Sequence, residues 1–100
     1  AMLIDSAHLH AFRAADDIDA WAADGRYPDL TARARIRMDC SRAVHYAREA
    51  VNLLVSASGG SAFGEHNPLQ RIWRDINTAS LHGILTHRTT LEMYGRILLG

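Results

Sequence analysis

The 100-residue sequence has no lysine, two prolines and one cysteine, and its 11 arginines balance its 11 acidic residues. A net charge of zero argues against a nucleic-acid or anionic-membrane partner, because both require a basic excess. The lone Cys40 excludes an internal disulfide and fits a reducing, cytoplasmic location. No apolar run is long enough to cross a membrane, and the N-terminus lacks a signal-peptide pattern. The length and composition therefore predict a single small globular domain over residues 1–100.

Apolar residues, which make up 48% of the chain, recur at three- and four-residue steps, as expected for helices. The spacing predicts helices over about residues 6–23, 30–58, 68–82 and 86–99. Asp5 or Ser6 is the expected N-cap of the first helix, and Gly25 its C-terminal stop. Asp29 is expected to cap the second helix and Asn67 the third, with Pro68 in the first turn. We find no strand-like alternation, so the predicted fold is an antiparallel four-helix bundle.

Each predicted helix has an apolar stripe that we expect to face the core. The stripes are Leu3, Ala7, Ala11, Ala14, Ile18 and Trp21; Ile36, Cys40, Ala43, Ala47, Ala50 and Leu54; Leu69, Ile72, Trp73, Ile76 and Ser80; and Leu91, Tyr94, Gly95 and Leu98. The second stripe repeats every seven residues, which favours near-parallel helix packing. Gly95 inside a helix predicts a close helix–helix crossing, because glycine costs about 1 kcal/mol relative to alanine there.

Several polar groups are candidates for chemistry, and each also has a structural interpretation. The six histidines lack HExxH or Cys/His ligand spacing, so no metal site is predicted. A polar ribbon on the third helix consists of Arg71, Asp75, Thr78 and His82. Asp75 near Arg71 is either a catalytic carboxylate or a surface ion pair, and spacing favours the latter. Residues 59–64 either bind phosphate or connect two helices. On spacing alone, His82 is more simply a helix-end histidine than a general base.

Residues 58–100, taken as a string, resemble a known family. The resemblance depends on four sequence blocks. They are Ser58-Gly59-Gly60-Ser61-Ala62-Phe63, Pro68-Leu69-Gln70-Arg71-Ile72-Trp73-Arg74-Asp75, His82 seven residues after Asp75, and Glu92 to Gly100. Together they are similar to the C-terminal domain of the acyl-CoA-dehydrogenase-like flavin monooxygenases, the oxygenase components of two-component aromatic hydroxylases. The long predicted helix from Leu30 also fits that family's bundle, whereas residues 1–29 match in character only.

The resemblance implies a fold, a cofactor and partners. It implies the acyl-CoA dehydrogenase type of C-terminal bundle, assembly as a dimer or tetramer, and hydroxylation of an aromatic substrate by reduced FMN or FAD and O2. A separate reductase would supply the reduced flavin. Gly59, Gly60 and Ser61 would be the carried-over flavin contacts, and His82 the base that deprotonates a substrate phenol.

The chain contains no counterpart of the family's middle β-domain, so we expect it to be inactive alone and to bind flavin weakly or not at all by itself. A cut-out domain, a truncated reading frame and a subunit that needs a partner all remain open. Two alternative functions also remain: an acyl-CoA dehydrogenase C-terminal domain, and a free-standing helical assembly module without catalysis.

Overall fold

A computed structural model describes residues 2–59, 68–81 and 87–100, the side chain of His87 excepted. The described residues form four helices and no strand: α1 (Met2–Ala23), α2 (Leu30–Ser58), α3 (Pro68–Ser80) and α4 (His87–Leu99). The predicted all-α class is therefore confirmed, and the bounds of α2 agree with the prediction. None of the described helices combines the length and apolar character that a membrane span requires.

The connection between α1 and α2 is determined by local capping. Gly25 adopts a positive φ of 66°, and the Arg26 amide donates to the Trp21 carbonyl oxygen at 3.1 Å, as in a glycine C-cap. Asp29 accepts a hydrogen bond from the Ala32 amide at 2.8 Å, so the predicted cap of α2 is confirmed. The predicted cap at Asp5 or Ser6 is wrong, because α1 already begins at Met2.

The main helix–helix contacts all involve α2. Two ion pairs, Asp17 with Arg35 and His10 with Asp39, show that α1 runs antiparallel to α2, because residue numbers rise on one helix as they fall on the other. α3 lies along the C-terminal half of α2, where the Trp73 indole Nε1 donates to Asn52 Oδ1 at 2.9 Å. α4 lies along the N-terminal half.

The predicted inner stripe of α1 is partly wrong. Ala11 is exposed and Ile18 is 50% exposed, whereas His10 and Asp17 face α2 and are shielded. Both polar residues can occupy inner positions because α2 supplies charged partners for them. The α1–α2 contact is thus an alanine seam interrupted by ion pairs.

The stripes predicted for the other helices also need correction. Leu54 of α2 and Ile72 of α3 are 56% and 50% exposed. On α4 the buried position is Thr90, whereas Leu98 is 60% exposed. The predicted close crossing at Gly95 is wrong, since no described atom lies within 4 Å of where its Cβ would be.

The chain buries little of its own surface. Its accessible surface is 6850 Å², roughly a fifth more than the area of about 5,700 Å² expected for a compact monomer of this mass. Its radius of gyration is 16.0 Å, against about 13 Å for a compact domain of 100 residues. Among the residues that the structure describes, the buried apolar ones are Ala7, Ala14, Ala34, Met38, Ala50 and Val51. Large apolar faces therefore remain available for contact with other polypeptide.

Candidate functional site

The end of α2 begins the segment predicted to contact flavin. Gly59 has φ 62° and ψ −145°, and its amide donates to the Val55 carbonyl oxygen. A positive φ with this ψ suits glycine, because a Cβ would be strained there. No described atom lies within 4 Å of the position of an added Cβ. Gly59 thus ends α2 as an exposed glycine cap; its predicted flavin contact stays a prediction, and Gly60 and Ser61 lie outside the described residues.

The predicted general base, His82, also lies outside the described residues. The polar ribbon that precedes it is confirmed, since Arg71, Asp75 and Thr78 are all exposed on α3. Within the described part of the chain, no ion pair joins Asp75 to Arg71. The ribbon faces away from Trp73 and Asn77, which anchor α3 to Asn52 on α2.

A buried charge cluster at the α1–α2 contact was missed by the sequence analysis. The Asp39 side chain is 0% exposed. Its carboxylate accepts from Arg13 Nε at 2.7 Å and Arg13 Nη2 at 2.6 Å. His10 Nδ1 lies 2.7 Å from Asp39 Oδ1, and because a carboxylate only accepts, that nitrogen is the donor. The sequence does contain a signal for this cluster. It is a histidine followed three residues later by an arginine on the inner side of α1, opposite an aspartate on α2.

The cluster shifts the pKa values of Asp39 and Arg13. Burial raises the pKa of Asp39, but the hydrogen bonds from Arg13 and His10 outweigh burial and leave the pKa of this carboxyl below its ordinary value. The hydrogen bond to Asp39 raises the pKa of Arg13. The charged pair is thus the stable form at neutral pH.

Aromatic rings and a second ion pair extend the cluster along the interface. The His10 ring stacks on Tyr46 with centroids 5.8 Å apart, and the Arg42 guanidinium lies over the same tyrosine. Further along α1, Asp17 Oδ2 lies 2.7 Å from Arg35 Nη2. These contacts orient α1 on α2. No group of three metal-ligating side chains occurs among the residues that the structure describes.

An apolar cavity of about 510 Å³ lies between the start of α1 and the C-terminal part of α2. It is lined by Met2, Leu3, Ile4, Ala50, Leu53, Leu54 and Ala57. The lining ends two residues before Gly59 in the sequence. The cavity therefore lies at the same end of α2 as the predicted flavin-contact segment.

Comparison with known proteins identifies the family to which this four-helix chain belongs. Residues 1–87 match the model of the acyl-CoA dehydrogenase C-terminal domain, and the chain belongs to that family. Its structure is similar to XiaF from Streptomyces sp. in complex with FADH2 and glycerol, with a TM-score of 0.88 and 40% identity, covering 94% of this chain and 24% of that one.

Two curated relatives are oxygenases by name. The p-hydroxyphenylacetate 3-hydroxylase oxygenase component of Acinetobacter baumannii is 31% identical over 75% of this chain and 18% of the relative. The flavin-dependent monooxygenase oxygenase subunit HsaA of Mycobacterium tuberculosis is 33% identical over 79% of this chain and 20% of the relative. The chain thus spans about a fifth of the length of these relatives.

Proposed function

We propose that residues 1–100 are the C-terminal helical domain of a flavin-dependent aromatic hydroxylase. The domain contributes to assembly and to one wall of the flavin and substrate site, and is inactive alone. One observation carries the proposal: the fold is similar over 94% of this chain, at 40% identity, to a protein in complex with FADH2. The hydroxylase and monooxygenase names of the curated relatives favour this branch over an acyl-CoA dehydrogenase.

The segment after α2 is the proposed flavin contact. Gly59 turns the chain with a positive φ at the end of a 29-residue helix, and an open backbone lets a ring approach more closely than a side chain would allow. Gly60 and Ser61 follow and would continue the contact. Reduced flavin, when bound, would supply the two electrons with which one oxygen atom of O2 hydroxylates the aromatic ring while the other is reduced to water. The complex of the structural neighbour makes FAD the first flavin to test, with FMN as the alternative.

His82 is the proposed base for the phenol of an aromatic substrate. An imidazole with an ordinary pKa near 6.5 can accept a phenol proton at neutral pH, and the phenolate is the more nucleophilic form of the ring. The exposed ribbon of Arg71, Asp75 and Thr78 ends just before it and could orient the histidine or the substrate.

The remaining parts of the active site would come from other polypeptide. Flavin oxygen chemistry requires a site from which water is excluded, and Gly59 is exposed here. The proposed partners are therefore other copies of the chain in a dimer or tetramer, the rest of the oxygenase, and a reductase that delivers reduced flavin. The single cysteine favours a cytoplasmic location for this system.

A graft into the structural neighbour tests the flavin contact. This chain would replace the matched segment of XiaF, and FADH2 would be titrated anaerobically against the graft and two variants. Ser61→Val is expected to weaken FADH2 binding at least tenfold, whereas Ser56→Val, an exposed position on α2, should leave it unchanged. A folded graft that binds FADH2 equally well with Ser61→Val would remove this segment from the flavin site.

A further inference from the structure

Polar side chains link α3 to α2. None of the 13 residues of α3 is fully buried within the described structure, so apolar burial alone would hold this helix weakly. The Trp73 indole Nε1 donates to Asn52 Oδ1 at 2.9 Å, and Asn77 Nδ2 donates to the same oxygen at 3.5 Å. Trp73 and Asn77 are about one helical turn apart. A single side chain of α2 therefore accepts from two successive turns of α3.

The hydrogen bonds continue to the C-terminal end of α3. Asn77 Nδ2 also donates to the Trp73 carbonyl oxygen at 2.8 Å, and Ser80 Oγ donates to the Asn77 carbonyl oxygen at 2.8 Å. From α2, Arg48 Nη1 donates to Ser80 Oγ at 3.5 Å. Residue numbers thus rise along α3 as they fall along α2, and the two helices are antiparallel. The contacts at Asn52 and Arg48 together connect the last two turns of α3 to α2.

The hydrogen bond between Trp73 and Asn52 favours one axial position of α3 on α2. Apolar contacts are non-directional, so a helix can slide along its neighbour and still bury a similar area. The indole N–H is a single donor that requires an acceptor within hydrogen-bond distance and in line with its bond. A shift by one helical turn is about 5.4 Å and would leave this donor without Asn52. The structure therefore makes Asn52 a determinant of where α3 lies along α2.

We propose that Asn52 is a positioning residue for the proposed hydroxylation and acts through α3. That helix carries the exposed ribbon of Arg71, Asp75 and Thr78, and the proposed base His82 follows the last residue of α3 by two positions in the sequence. A displacement of about 1 Å can lower the rate of an enzymatic step about a hundredfold, so the axial position of α3 bears directly on catalysis. The inference rests on the proposed function and adds to it a residue that acts on the position of α3 and not on the substrate.

The position of α3 is tested in the 100-residue chain itself. Proton–nitrogen correlation NMR follows the indole N–H signals of Trp21 and Trp73, which Trp73→Phe assigns. Asn52→Leu removes the acceptor at similar size, Asn52→Asp retains an oxygen acceptor, and Ser56→Val is the control at an exposed position one turn further along α2. We expect Asn52→Leu to speed exchange of the Trp73 indole proton with water at least about tenfold, and the other two variants to leave it within about threefold.

The effect on the reaction is measured after this chain replaces the matched segment of the p-hydroxyphenylacetate 3-hydroxylase oxygenase component. Asn52→Leu should lower kcat at least about tenfold and leave the KM for p-hydroxyphenylacetate and the flavin affinity within about threefold, because a misplaced base slows the chemical step without removing substrate contacts. Asn52→Asp should restore kcat to within about threefold of the unsubstituted graft. Trp73→Phe removes the donor of the same bond, so the double variant with Asn52→Leu should be little slower than either single variant.

The pH profile separates positioning from a loss of folded protein. A phenol with an ordinary pKa near 10 loses its proton without a base at high pH. The kcat defect of Asn52→Leu should therefore shrink as the pH rises from about 7 to about 9.5, as the defect of His82→Ala should. A smaller folded fraction would instead lower the rate by a similar factor across this range.

The outcomes distinguish this proposal from the proposed function. An active graft whose kcat is unchanged by Asn52→Leu, or whose defect is the same at every pH, would overturn the positioning role and leave the proposed function standing. A Trp73 indole proton that stays protected in Asn52→Leu would overturn it as well, because α3 would then be held in place by other contacts. An unsubstituted graft that folds and binds flavin but does not hydroxylate would overturn the proposed function, and this proposal with it.

Discussion

Arg13 on α1 and Asp39 on α2 form a two-pronged ion pair, with Nη2–Oδ1 and Nε–Oδ2 separations of 2.6 and 2.7 Å. The carboxylate is fully buried, while the arginine side chain is 45% exposed. Among the described residues of α1, the buried positions are Ala7 and Ala14, whose small side chains alone specify little. We therefore expect the ion pair to contribute to the specificity with which α1 and α2 align.

Replacement of Asp39 by asparagine should destabilise the chain. The asparagine side chain would retain the shape but lose the charge that both Arg13 and His10 bond, so we expect the free energy of unfolding to fall by about 2–3 kcal/mol. Urea denaturation followed by circular dichroism measures this. Asp16→Asn, at an exposed position on α1, should change the free energy by less than about 0.5 kcal/mol. Equal effects of the two substitutions would show that the ion pair adds nothing to stability.

The same carboxylate predicts a pH dependence. The folded pKa of Asp39 lies below its ordinary value of 3.8, so the unfolded chain binds a proton more readily than the folded one. The stabilisation by Asp39 is then complete above about pH 4 and is lost as the pH falls through the lower, folded value. The difference in unfolding free energy between the unsubstituted chain and Asp39→Asn should therefore shrink as the pH falls below about 4. A difference that grew on acidification would contradict the assigned direction of the shift.

Two glycines should respond in opposite directions to replacement by alanine. Gly59 has a φ of 62°, a region that alanine disfavours, so Gly59→Ala should cost about 1–2 kcal/mol. Gly95 lies inside α4 with open space where a Cβ would go, so Gly95→Ala should stabilise the chain by about 0.5–1 kcal/mol. Thermal unfolding of the two variants provides the comparison. A stabilising Gly59→Ala would mean that the chain does not turn there as described.

Helix positions and several helix ends, although not the start of α1, were predictable from the sequence because they depend on local chemistry. Asp29 caps α2 through its own side chain, and Pro68 begins α3. The family and its bundle were predictable from the order of the motif blocks in residues 58–100. Gly59 ends α2 with a positive φ of 62°, but its predicted flavin contact and the roles of Gly60, Ser61 and His82 all remain predictions.

The inner faces were harder to predict because apolar periodicity does not reveal which polar side chains have buried partners. Ala11 and Ile18 were predicted to face the core, but the shielded side of α1 includes His10 and Asp17. Their partners on α2 are more than 15 residues away in the sequence, so only the folded register brings them together. The stripe predicted for α2 is partly confirmed, because Ala50 is buried, whereas Leu54 is 56% exposed and the other four members are half-buried.

Hydroxylation by a grafted enzyme tests whether this domain serves in a flavin-dependent aromatic hydroxylase with His82 as the base. This chain would replace the matched segment of the p-hydroxyphenylacetate 3-hydroxylase oxygenase component, and product would be measured with reduced flavin and O2. We predict that the graft hydroxylates p-hydroxyphenylacetate, that His82→Ala lowers the rate at least about 100-fold, and that His8→Ala, at an exposed position on α1, leaves it unchanged. A folded, flavin-binding graft that is inactive, or that is equally active with His82→Ala, would contradict the account.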